Sequence, residues 1–158
     1  MKKGFTLIET IIYTAIIAVI FILVVNSLTL VIKAFNQGRV IIKINNSAEV
    51  AIERMTREIR FAYDIDASSN LDSHPGHLVL NTYVEFYLDS GKIMIIDRGA
   101  NAVALTSDDL TVTNLIFRQI NSSSISKAVK IEMAIQGSSG NYQKTGNFYN
   151  TAILRGSY

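Results

Sequence analysis

From Thr10 to Ile32 the chain runs through twenty-three consecutive positions without a charged side chain. A helix rising about 1.5 Å per residue would cover roughly 35 Å over that stretch, enough for a hydrocarbon core of about 30 Å. A secretory signal has a shorter apolar region, about 7–15 residues, followed by a small-residue cleavage site. This run is longer, and no A-x-A site follows it. The single proline is Pro75, so nothing in the first sixty residues removes a helical N–H. Lys2 and Lys3 stand before the run, which by the positive-inside rule places the N-terminus in the cytoplasm and the rest of the chain outside it. The expected state is a single-pass membrane protein with a cytoplasmic N-terminus.

The helical pattern continues beyond the apolar run but changes character. Ile41, Ile44, Ala48, Ala51, Ile52, Met55, Ile59 and Ala62 recur at spacings of three and four, one face of an amphipathic helix. Glu53 with Arg57, and Arg54 with Glu58, sit four apart and read as a solvated face. A bend is expected at Gly38 or near Asn26-Ser27, and the helix ends near Tyr63-Asp64. Ala67 to Gly76 is rich in turn formers and reads as a linker.

After the linker the period becomes two. Val84, Phe86 and Leu88 alternate with polar or aromatic neighbours, Asp89-Ser90-Gly91-Lys92 makes a turn, and Ile93 to Ile96 returns as the second arm of a hairpin. Leu110 and Val112 alternate, and the parity slips to Leu115 and Phe117, which marks a bulge or a break at Asn114. Val129 to Ile135 alternates cleanly, and a last strand covers about Phe148 to Arg155. Asn121 to Ser126 and Gly137 to Asn147 read as polar loops. A small antiparallel sheet with one apolar face needs a cover, and the amphipathic helix supplies one. The expected fold is α+β: a long N-terminal helix with a transmembrane front half (5–32) and an amphipathic back half (33–63), packed as a lollipop on an extracytoplasmic antiparallel β-domain (64–158).

Charge follows the same division. Residues 1–9 carry +1, residues 33–63 carry +3 and residues 64–158 carry −2. That balance does not make a uniformly basic nucleic-acid face. The chain has no cysteine, which excludes a disulfide scaffold and a cysteine zinc site.

A carboxylate at the edge of a transmembrane run is costly, and such groups are commonly functional and paired. By position alone, Glu9 is equally a residue that reaches interfacial water. Its context is more informative. Lys2-Lys3-Gly4-Phe5-Thr6-Leu7-Ile8-Glu9, followed by the apolar run, resembles the processing site of type IV prepilins and pseudopilins. The resemblance implies a leader of residues 1–4, cut between Gly4 and Phe5 by a prepilin peptidase that then methylates the new amine of Phe5. It implies that Glu9 attracts the N-terminal amine of a neighbouring subunit and sets the register between helices. Loss of Lys2 and Lys3 would bring the side-chain charge to 0.

The stretch Ser47 to Arg60, the turn Leu88-Asp89-Ser90-Gly91, Ser107 to Phe117 and the closing Thr151-Ala152-Ile153-Leu154-Arg155 resemble W-type minor pilins and J-type minor pseudopilins. These later patterns are degenerate. The leader is short, and the membrane half lacks the proline that many major pilins carry. The expected function is a minor pilin or pseudopilin, without enzymatic activity or cofactor, that primes or joins a type IV pilus or type II secretion pseudopilus. Its expected partners are the prepilin peptidase and N-methyltransferase, other major and minor pilins or pseudopilins, and the inner-membrane assembly platform. The alternatives are a pilus-borne adhesin or DNA-uptake subunit using the 137–147 segment, and an uncleaved single-span anchored protein.

Other constellations are weaker. His74-Pro75-Gly76-His77 lacks a third metal ligand and reads as a surface turn. Asp64, Asp66 and Asp72 lack the spacing and glycine of an EF-hand loop and read as helix-end and linker residues. Ser122 to Ser124 has no nucleophile-elbow context. Tyr83, Tyr87, Tyr142, Tyr149 and Tyr158 are read first as strand packing and second as an adhesive or base-stacking surface.

Overall fold

Helix α1 (Leu7–Phe61) is followed by seven strands: β1 (His77–Leu80), β2 (Val84–Asp89), β3 (Lys92–Asp97), β4 (Val103–Ala104), β5 (Leu110–Asn121), β6 (Lys127–Ser139) and β7 (Tyr142–Ile153). The computed structural model describes Gly4 and residues 6–81, 83–121 and 127–155. The fold is α+β, with the long helix packed on small antiparallel sheets. The chain divides into two units, residues 1–38 and residues 39–158.

The first unit is helical from Leu7 onward, and α1 continues without interruption through Asn26, Ser27 and Gly38. Its large apolar side chains, among them Ile11, Ile17, Phe21, Leu30 and Phe35, are all exposed. This helix is long and apolar enough to cross a membrane. Its hydroxyls suit such a setting because they return to the backbone. Thr10 Oγ1 donates to Leu7 O at 2.8 Å, Thr14 Oγ1 to Thr10 O at 3.0 Å, and Thr29 Oγ1 to Val25 O at 2.9 Å. In hydrocarbon a polar group must find its partner inside the protein, and these do.

The second unit is organised by the back half of α1. Val40, Ile44, Ala48, Ala51, Met55 and Ile59 recur every three or four residues and are buried. They pack in one core with Leu78, Phe86 and Ile93 of the first sheet and Phe117, Ile131 and Ile135 of the second. The helix is also pinned by polar contacts. Ser107 N–H donates to the buried Ser47 Oγ at 3.3 Å, and Lys43 pairs with Asp109. At its end, the otherwise orphaned carbonyl of Arg60 accepts from Arg155 N–H at 3.2 Å, and Tyr63 N–H donates to Asn81 Oδ1 at 3.0 Å. The helix stops at Phe61, slightly before the expected Tyr63-Asp64.

Two sheets are present where one was expected. Their strand orders are β1-β2-β3-β4 and β5-β6-β7, all neighbours antiparallel. The short strands β1 and β4 escape a pattern search because four and two residues carry too little alternation. The β2–β3 hairpin matches its expected position. Asp89 pairs with Lys92 across a two-residue turn, and Ser90 and Gly91 both have positive φ (50° and 74°), the geometry that matches strand twist. The register of β5 against β6 shifts between Val112 and Asn114, which places the irregularity where the parity slips.

Residues 137–147 are not a loop. Ser139 pairs with Tyr142, and Gly137, Gln143, Lys144, Gly146 and Asn147 all lie within the β6–β7 ladder. Backbone pairing needs no apolar side chain, so a polar strand end looks like a loop in sequence. The glycines have a packing reason as well. A Cβ on Gly137 would lie 3.2 Å from both Ile44 and Val40, and one on Gly146 would lie 3.0 Å from Ile44 and 2.9 Å from Phe148. The start of the buried helix face occupies that space. The segment 122–126, within the expected Asn121–Ser126 loop and containing Ser122 to Ser124, lies outside the described residues.

The Arg54–Glu58 pair is not on a fully wet face. Arg54 lies 3.2 Å from Glu58 and 2.9 Å from Asp97 of β3, and Glu58 is largely covered. Other ion pairs are on the surface. A hydrogen bond from Lys130 and a second from Arg118 hold the Glu132 carboxyl below its ordinary range, and Glu132 in turn raises Arg118. Lys43 does the same to Asp109.

Two tests follow from this packing. Met55→Ala is expected to cost about 2–5 kcal/mol through the cavity it leaves, and Gly146→Val about 1–3 kcal/mol through overpacking against Ile44 and Phe148, both read by urea unfolding of the full chain in neutral detergent. The depressed carboxylates stabilise the fold above their ordinary value, about 4, and lose that contribution as pH falls through their lower folded values. The acid side of the stability profile should therefore be shallower in an Asp109→Asn, Glu132→Gln double variant. An unchanged profile would remove these pairs as its cause.

Candidate assembly site at the helix N-terminus

The start of α1 is built by Thr6 and Glu9. Thr6 N–H points to Glu9 Oε2 at 3.5 Å, and Glu9 N–H points to Thr6 Oγ1 at 3.4 Å. This is a reciprocal capping box: two side chains answer two of the donors that a helix start leaves unpaired. Thr10 N–H then donates to Thr6 O at 3.3 Å, the first turn of the helix. The signature T-x-x-E stands openly at residues 6–9, and the reading of Glu9 for its charge alone passes over it.

Glu9 also accepts from Tyr13 OH at 3.4 Å through its other oxygen, one helical turn on. Both contacts are long for hydrogen bonds. An ionised carboxylate offers about four acceptor positions, so capacity remains for a further donor. The side chain is only half-buried, and the residues around it, Leu7, Ile8, Ile11, Ile12 and Tyr13, are exposed. Glu9 is thus an anionic acceptor at one end of an uncovered apolar helix.

Gly4 is exposed, and a Cβ built on it would meet nothing within 4 Å. Its own surroundings do not demand glycine. Phe5, Lys2 and Lys3 lie outside the described residues.

The remaining sequence candidates separate into individual structural contacts. His74 Nδ1 accepts from Leu115 N–H at 3.2 Å, while His77 Nε2 lies 3.4 Å from Glu85 and its ring meets Tyr87 edge-on at 5.9 Å. The peptide bond His74–Pro75 is cis. Asp64 pairs with Lys127, and that hydrogen bond, with a second from Ile65 N–H, holds its carboxyl below the ordinary range. Asp66 accepts from Ser68 N–H and hydroxyl, with the same direction of shift. Asp72 lies 3.4 Å from Arg118. These three carboxylates do not converge, and among the described residues no three histidine or acidic side chains group around a common point.

The described tyrosines differ in exposure. Tyr83 and Tyr149 are exposed, Tyr142 packs against the core, and Tyr87 is half-buried. Tyr83 holds a positive φ of 62°, and Tyr149 lies under Lys130 Nζ, 5.7 Å from the ring centre. Tyr158 lies outside the described residues.

No family model, curated protein or solved structure matches the chain.

Proposed function

We propose that this chain is a minor pilin or pseudopilin, a structural subunit that enters the inner membrane through its N-terminal helix and then joins a type IV pilus or type II secretion pseudopilus. The observation that carries the proposal is the half-satisfied carboxylate of Glu9, set at the head of an apolar helix whose side chains are uncovered. Apolar helices leave lipid without a hydrophobic gain, so association needs close packing or a polar partner. Glu9 supplies the polar partner.

In this reading a prepilin peptidase cuts between Gly4 and Phe5. Lys2 and Lys3 leave with the leader, and Phe5 gains an ammonium that the same enzyme methylates. The open space around Gly4 leaves the small-residue requirement to that peptidase rather than to the fold. The Phe5 ammonium of one subunit then approaches Glu9 of its neighbour. In a low-dielectric setting the pairing offsets part of the cost of a desolvated carboxylate, and few axial offsets satisfy it. The β-domain remains outside the membrane, and the other subunits and the assembly platform are its partners. The 137–147 segment, on which a DNA-uptake or adhesive role would rest, is a hairpin end: apart from the Gly140-Asn141 turn its residues pair in β6 and β7.

Two experiments test this. The intact mass of protein from cells with an active prepilin peptidase should match a chain that starts at N-methyl-Phe5. A chain still starting at Met1 would make it an uncleaved single-span protein and sink the proposal. The second separates charge from capping. Glu9→Gln preserves the hydrogen-bonding pattern of the capping box while removing the charge. Glu9→Gln and Glu9→Ala should both insert in the membrane and both fail to join filaments. Normal incorporation of Glu9→Gln would reduce Glu9 to a helix cap.

A further inference from the structure

One edge of the second sheet is open. β7 ends the order β5-β6-β7, and among the described residues no strand pairs with its outer side. The opposite edge is occupied. Val112 N–H donates to Gly91 O at 2.8 Å, Gly76 N–H to Leu115 O at 2.9 Å, and Asp72 N–H to Phe117 O at 2.8 Å. An open strand edge is a template for another chain, and proteins that do not use one commonly cover it.

Between β7 and the back half of α1 lies a groove of about 1100 Å³. Ile52 and Phe148, both packed on the core, give it an apolar floor, and the exposed Phe61 and Ile153 stand at its rim. Thr56 Oγ1 accepts from Asn150 Nδ2 at 2.8 Å across it. Its charges are sorted by sign. Glu49 and Glu53 line the part nearer Asn45, and Arg57, Arg60 and Arg155 line the part where Arg155 N–H meets Arg60 O. Among the described residues none of these three guanidinium groups has an ion-pair partner, whereas Arg54 and Arg118 each hold two carboxylates.

We propose that this groove receives an extended segment of a partner protein, added antiparallel to β7, with carboxylates at the segment's amino-terminal end on Arg57, Arg60 and Arg155. Strand addition uses edge backbone groups for affinity and the flanking side chains for specificity; here the segment must displace the Asn150 side chain, whose Oδ1 holds Thr151 N–H at 2.9 Å and whose Nδ2 reaches Thr56. An antiparallel segment runs opposite to β7, so its amino-terminal half lies beside Arg155 and its carboxy-terminal half toward Glu49 and Glu53. The exposed edge along Phe148–Ile153 spans roughly 20 Å at about 3.3 Å per residue, room for about six residues. A guanidinium pairs with a carboxylate through two parallel hydrogen bonds, which favours acidic side chains at that end. A nucleic acid fits poorly, because its phosphates would meet Glu49 and Glu53. The proposal stands apart from the processing of the N-terminus.

The test uses the full chain in neutral detergent and the dye-labelled peptide Asp-Asp-Val-Thr-Val-Thr-Lys-Lys, with its reversed sequence as control. Both peptides have the same composition and side-chain charge. Fluorescence anisotropy should show the first binding at least tenfold more tightly. Arg57→Glu with Arg60→Glu should remove that preference while leaving the urea midpoint close to the parent. N-methylation of alternate peptide amides should weaken binding at least tenfold. Equal binding of the two orders, indifference to the double charge reversal, or full binding of the N-methylated peptide would each overturn the proposal. So would a DNA oligonucleotide, or a second copy of the chain, occupying the groove in preference to the peptide.

Discussion

The buried face of α1 from Val40 to Ile59 is the contact on which the second unit depends. Neither sheet is large: one has four strands, two of them very short, and the other has three. Each needs its apolar side covered, and the same helical stripe enters the core of both. Full burial of a large apolar side chain contributes about 1.5–3 kcal/mol. Ile44, Met55 and Ile59 supply that term, while Ala48, Ala51, Gly137 and Gly146 supply room for helix and strands to approach. Polar ties at Ser47, Lys43 and Arg60 then fix the helix along its length.

Among the described residues, the apolar side chains of the front of the same helix are uncovered. Its threonine hydroxyls have already found acceptors on their own backbone. A segment of this kind is satisfied by lipid or by other apolar helices, and water is the poorer solvent for it. One group at its head remains only partly satisfied. Glu9 closes a capping box and takes a long contact from Tyr13, yet keeps acceptor capacity. Capping and pairing are compatible roles, because one carboxylate can receive several donors.

Much of this organisation is legible in the residues. The apolar run, the change to a spacing of three and four after Lys33, the Ser90-Gly91 turn and the parity slip at Asn114 each follow a local rule, and each lies where the rule places it. Legibility fails where structure is set by neighbours distant in sequence. The polar ends of β6 and β7 read as a loop because their pairing is a matter of backbone hydrogen bonds. Gly137 and Gly146 read as loop residues because part of what fills their space, Val40 and Ile44 beside Leu110 and Phe148, stands about a hundred positions earlier. Arg54 reads as solvated because Asp97 reaches it from another element. The capping box at Thr6 and Glu9 also follows a local rule, the T-x-x-E spacing.

The sequence by itself determined the helix, its division into an apolar and an amphipathic half, the α+β class and the position of a carboxylate at the head of the apolar half. Those properties depend on composition and on periods of 3.6 and 2 within short windows. Only the tertiary structure decided that the strands form two sheets, that 137–147 belongs to their ladder, and that β7 leaves an open edge beside a charge-sorted groove. Strand partnership and exposure arise from contacts between residues far apart in the chain, and no local window contains them.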